Sequence, residues 1–214
     1  MGVVAMGRLS TAELDAVTID AYGTLVMLVD PVPELAAALS ARDVTRERDV
    51  VAAGFRAEVT HYTTHSAEGH DEAGLAQLQR DCARVFLDAV DAELDAEEFA
   101  PVYAGAMQFE LLPGVVAALE GLRSLGLELA VVANWDLTLH RLLDEVGLTP
   151  FFGAVVHAAG KPSPGGLFRA LSQLGIGASR AVHVGDDEVD RLAAEAAGMR
   201  VVVGSLPEAV ASLT

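Results

Sequence analysis

The chain has 214 residues, 52% of them hydrophobic but only 5% aromatic, so a large core must be built from Ala, Val and Leu. A formal net charge of −17 argues against nucleic acid and anionic membrane surfaces as partners. No apolar run reaches the roughly 18 residues needed to span a bilayer. The first residues carry no signal-peptide pattern, and the single Cys82 leaves no internal disulfide, so the expected location is cytoplasmic.

In chain order, Ala16, Val17 and Ile19 read as a short buried strand that ends on Asp20. Residues 31–110 then carry helical patterns with no convincing strand. These run from Pro33 to Ala41, Glu47 to about His65, Asp71 to Val90, and Glu97 to Gln108. Pro101 is expected in the first turn of the last helix, and Gly69 and Gly74 mark the break between the middle two. From Leu111 onward, strands and helices alternate. Helices are expected from Pro113-Gly114 to about Leu125, over Leu137 to Val146, Pro164 to Leu174 and Val189 to Ala197, with a last one from Pro207. Strands are expected over Leu127–Ala133, Gly153–His157, Ala181–Gly185 and Met199–Val203. This alternation predicts an α/β fold with a Rossmann-like parallel sheet and right-handed crossovers. The expected domains are a core of 1–25 and 111–214, interrupted by a helical cap of 26–110.

Polar groups recur at the strand ends. The first strand runs into Asp20-Ala21-Tyr22-Gly23-Thr24-Leu25, where Gly23 permits a sharp turn. Leu127–Ala133 runs into Asn134-Trp135-Asp136, and Ala181–Gly185 into Asp186-Asp187-Glu188-Val189-Asp190. Gly160-Lys161-Pro162 follows the third strand, and Lys161 is the one Lys among 14 basic residues. In a parallel sheet these ends share one edge, where open α/β sheets bind ligands. A nucleophilic carboxylate, an ammonium and an acidic cluster suit attack on an anionic electrophile. Asp186 and Asp20 could hold Mg²⁺, a hard cation that takes oxygen ligands. Lys161 could neutralise developing charge, while Thr24 and Asn134 could hold substrate oxygens.

On these residues the chain resembles the haloacid dehalogenase superfamily of hydrolases. Asp20–Thr24 is similar to its first motif, Val131–Asn134 to the second, Lys161 to the third and Gly185–Asp190 to the fourth. The helical insertion falls where that family places a cap. The resemblance implies Asp20 as a covalent nucleophile, with Mg²⁺ held by Asp20, the Tyr22 carbonyl, Asp186 and Asp190. It implies a small anionic substrate.

Two positions depart from the family's phosphatases. The second Asp of the first motif, which protonates the leaving alcohol, is replaced by Tyr22, and the hydroxyl before Asn134 is replaced by Ala133. A Tyr with a pKa near 10 is a poor proton donor at neutral pH. Asp-Ala-Tyr-Gly-Thr-Leu also resembles the L-2-haloacid dehalogenases, whose halide leaving group needs no proton. The readings are therefore a phosphatase of small phosphorylated metabolites, a 2-haloacid dehalogenase, and a weak or inactive member that binds through its cap.

Arg56 is a candidate for a substrate carboxylate or phosphate, and Trp135 for a wall of the site. His61 and His65 have metal-ligand spacing but no third ligand at matching spacing, and are expected on a solvated or substrate-facing helix side. His183 reads as a core residue.

Overall fold

Residues 13–213 are described by the computed structural model; the N-terminal leader reading falls outside them. Strand β1 (Ala16–Ile19) is fully buried, and the chain turns after Asp20 into the short β2 (Val26–Leu28). Four helices follow: α1 (Val32–Ser40), α2 (Arg48–His65), α3 (Glu72–Ala89) and α4 (Ala96–Gly105). The three-residue β3 (Phe109–Leu111) pairs with β2 in a two-stranded sheet. Neither strand is visible in the sequence pattern, because three residues are too few to display alternation.

Thereafter come α5 (Val115–Ser124), β4 (Glu128–Val132), α6 (Leu139–Glu145) and β5 (Ala154–Val156). The chain closes with α7 (Gly165–Leu174), β6 (Ala181–Gly185), α8 (Glu188–Ala196), β7 (Arg200–Val203) and α9 (Leu206–Leu213). The main sheet has the order β5-β4-β1-β6-β7, with every described pair parallel. β1 is central, flanked by β4 and β6 in register Ala16–Glu128 and Ala16–Ala181. Its buried Ala16, Val17 and Ile19 follow from that position, since strands covered on both faces carry near-continuous apolar runs. This is a Rossmann-like α/β fold.

By contact density the chain divides into two units. The first takes the described residues up to Met27, with Leu111–Ala133 and those from His140 on; the second takes Leu28–Glu110 and Asn134–Leu139. In the first unit, one face of the sheet packs Ala130, Val132 and Val156 against Leu167 and Leu171 of α7 and Ala193 of α8. The second unit has its own core, in which Phe86 of α3 stacks on Phe99 and lies 5.1 Å from the Tyr103 ring.

Helix starts in the second unit follow side-chain caps. Asp71 accepts from the Gly74 amide, so Gly74 sits within the first turn of α3 and the break falls at Ser66–Gly69, a 3₁₀ turn. Asp95 accepts from the Glu97 and Glu98 amides and starts α4 one residue earlier than expected. Pro101 consequently lies in the helix interior, past its first turn, where the missing N–H removes one intrahelical bond. Arg46 donates to the carbonyl oxygens of Val90 and Asp91.

Candidate active site

The parallel order of β1 and β6 puts Asp20, the residue after β1, beside the residues that follow β6. The Lys161 ammonium reaches Asp20 Oδ1 at 2.5 Å and also donates to Asp190 Oδ1. All three side chains are buried. Asp20, Asp186 and Asp190 each bring a carboxylate oxygen within 4.8 Å of the others. The turn between β1 and β2 is fixed by the Gly23 amide donating to the Val26 carbonyl oxygen. Gly23 has φ +77°, and a Cβ there would lie 2.1 Å from Asp186 Oδ2, so glycine is required both for the turn and for Asp186. Gly185 plays the corresponding part for Asp190, whose Cγ would be 2.3 Å from an added Cβ.

Electrostatics at this cluster are governed by burial. Burial pushes the Asp20 carboxyl up to about 6; the Lys161 ammonium opposes this and Asp190 adds to it. Burial alone would depress Lys161, but Asp20 and Asp190 more than reverse that and hold it above its ordinary value. Asp190 also loses solvation, yet the His183 hydrogen bond and the Lys161 charge keep it below the usual carboxylate range. Asp186 is raised, chiefly by desolvation.

His183, expected as a core residue, is one, and its hydrogen-bond partners are polar side chains. It is fully buried on β6, with Nε2 3.0 Å from Asp190 Oδ1 and Nδ1 2.8 Å from Thr18 Oγ1 on β1. Burial lowers its pKa, so the ring is neutral at pH 7. Since Asp190 is a carboxylate facing an ammonium, Nε2 carries the proton and the Thr18 hydroxyl donates to Nδ1. A connected chain thus runs Thr18–His183–Asp190–Lys161–Asp20. Asp190 is well occupied, because Oδ1 takes Lys161 and His183 while Oδ2 takes the Asp187 amide at 3.3 Å.

The remaining sequence candidates fall as follows. Tyr22 is 47% exposed in the turn after β1. Thr24 is fully buried, and its hydroxyl has no hydrogen-bond partner among the described residues. Asn134 and Trp135 follow β4 and belong to the second unit. Arg56 is exposed on α2 of that unit, and the rings of His61 and His65 stack 4.2 Å apart with His65 Nδ1 on the His61 carbonyl oxygen. A metal suits the donor set of the first unit: three carboxylates against one ammonium leave uncompensated negative charge on oxygen ligands only.

A family model for haloacid dehalogenase-like hydrolases matches residues 14–198. The chain belongs to that family of hydrolases. It is 37% identical over 117 residues to phosphoglycolate phosphatase of Pseudomonas savastanoi pv. phaseolicola, covering 52% of this chain and 43% of that one. It is 39% identical over 102 residues to haloacid dehalogenase-like hydrolase domain-containing protein 3 of Xenopus laevis, covering 45% and 42%. The matched region therefore spans less than half the length of these two relatives. The crystal structure of an L-2-haloacid dehalogenase superimposes with a TM-score of 0.70 at 16% identity, covering 94% of this chain and 98% of that one, a likeness of fold. Among the described residues no helix is long and apolar enough to cross a membrane.

Proposed function

We propose that this protein hydrolyses small phosphate monoesters through a covalent intermediate on Asp20. The observation that carries the reading is the Lys161 ammonium held between Asp20 and Asp190 with Asp186 beside them. An Asp20 oxygen attacks phosphorus, the P–O bond to the alcohol breaks, and an aspartyl-phosphate remains. Water then attacks the phosphorus, releasing inorganic phosphate and regenerating the Asp20 carboxylate. Lys161 orients Asp20 and offsets charge that develops on the transferring group. Asp190 anchors Lys161 from the other side.

Mg²⁺ would be held by Asp20, Asp186 and the Tyr22 carbonyl oxygen, with Asp190 in support, and it would shield phosphate charge and orient the ester for in-line displacement. Thr24, Asn134, Trp135 and Arg56 are the proposed substrate contacts. The unpartnered Thr24 hydroxyl supports such a role, since a buried donor without an acceptor is costly. Similarity to phosphoglycolate phosphatases supports small phosphorylated acids as the class to test first. A cytoplasmic location fits the single cysteine.

Tyr22, standing where a phosphatase has its proton-donating Asp, favours a second reading, dehalogenation of 2-haloacids, in which Asp20 attacks carbon and halide leaves unprotonated. One screen separates the two: phosphate esters and 2-haloacids with Mg²⁺ or EDTA, alongside Asp20→Asn. Ester hydrolysis lost with EDTA and restored by Mg²⁺ supports the phosphatase; halide release indifferent to EDTA overturns it.

A further inference from the structure

The loop Asn134–Leu139 leaves strand β4 and enters α6, yet by its contacts it belongs with the helices of the second unit. Its fastening is specific. Tyr62 on α2 donates its hydroxyl to Asp136 Oδ2 at 3.2 Å and accepts from the Asp136 amide at 3.4 Å. The Leu137 amide donates to the Gly69 carbonyl oxygen at 2.8 Å, in the turn that follows α2. An added Cβ on Gly69 would lie 2.7 Å from Asp136 Cβ, so glycine is what lets the loop approach this closely. Within the loop, Asp136 Oδ1 accepts from the Thr138 amide at 2.7 Å and hydroxyl at 2.6 Å, and Trp135 Nε1 donates to that hydroxyl at 3.1 Å. The Trp135 ring packs on Phe109 with centroids 5.0 Å apart.

Asp136 is buried, and its hydrogen bonds come from hydroxyls and a backbone amide. Both oxygens act as acceptors, so the carboxylate behaves as a knot that ties the loop to α2. Burial first, and then the Asp136 charge, push the Tyr62 phenol well above its ordinary pKa, so it remains a donor throughout the neutral range.

We propose that Tyr62 and Asp136 form a latch between helix α2 and the loop, which makes them positioning residues for the Asn134 amide. The role of Asn134 as a substrate contact rests on the phosphatase reading above; the latch itself does not. Loss of the Tyr62 hydroxyl leaves a buried carboxylate oxygen short of a donor, so the loop samples other conformations and its grip on phosphate oxygens weakens. The chemistry at Asp20 is left in place.

The test uses Tyr62→Phe and, as an independent perturbation that alters no polar group, Gly69→Ala. Trp135 is the only tryptophan in the chain, so intrinsic fluorescence reads this loop alone. The expected result is red-shifted emission and easier acrylamide quenching in both variants. With p-nitrophenyl phosphate, KM should rise about tenfold and kcat stay within about twofold, the size expected for one lost hydrogen bond to a charged group. Inhibition by inorganic phosphate should weaken in parallel. Unchanged Trp135 emission in folded Tyr62→Phe overturns the latch. Shifted emission with unchanged KM overturns its positioning of Asn134. A native protein with no activity on the ester overturns the phosphatase reading instead, and the fluorescence result still decides the latch.

Discussion

His183 Nε2 lies 3.0 Å from Asp190 Oδ1, the same oxygen that accepts from the Lys161 ammonium. A neutral ring thereby completes the solvation of a buried carboxylate that in turn holds the cation against Asp20. Replacing His183 by Leu removes the donor and leaves Asp190 under-satisfied, at a cost of about 1–3 kcal/mol. Urea unfolding should show that loss, with a smaller one for Thr18→Val, which touches only the far end of the chain. A His183→Leu protein as stable as the native one would contradict this account of the network.

Asp20→Asn should behave oppositely in stability and in activity. The folded carboxyl, near 6, sits above its unfolded value of 3.8, so the native protein loses stability as pH rises from about 4 through 6. Asn carries no such penalty. In EDTA the variant should be more stable than native by up to about 3 kcal/mol above pH 7, the gap closing below pH 4. Turnover should vanish. Thermal melts across pH 3.5–8 check the sign; a gap of constant size would refute it.

Glu58 offers a second pH test, in the helical unit. It is buried on α2 and its pKa is raised, chiefly by burial, with Cys82, Tyr103 and His61 working against the shift. Because the folded value lies above the ordinary 4.5, stability drains as pH climbs past that point. Glu58→Gln should therefore melt higher than native at pH 8 and show little difference at pH 4. Equal melting temperatures at both pH values would mean that the carboxyl carries no penalty there.

Much of the first unit was legible because its chemistry sits in short runs at strand ends. Asp20, Asp186 and Asp190 could be read as one site once β1 and β6 were recognised, and Lys161 stood out by composition. His183 was legible only as a buried strand residue. Its meaning depends on Thr18, 165 positions away and with no local signature. Likewise nothing in Asn134-Trp135-Asp136 announces that the loop is tied to Tyr62 and Gly69. Such long-range side-chain pairs leave no periodicity. Pro101 misled for a different reason: the Asp95 cap, and not the proline, sets where α4 begins.

The exposed Tyr22 has a kinetic consequence if the phosphatase reading holds. Without a carboxylic acid to protonate the leaving alcohol, aryl and acyl phosphates should be cleaved about 10²–10⁴-fold faster than alkyl phosphates. Tyr22→Asp should narrow that gap. Equal kcat/KM values for aryl and alkyl esters in the native protein would show that another group donates the proton.

The central claim is that Asp20 becomes covalently phosphorylated during turnover, and trapping measures it directly. Protein quenched in acid while hydrolysing p-nitrophenyl phosphate, then reduced with borohydride and digested, should yield homoserine at position 20 by mass spectrometry. The Asp20→Asn protein should yield none. Steady turnover with no modification at Asp20, or modification at another aspartate, would contradict the account.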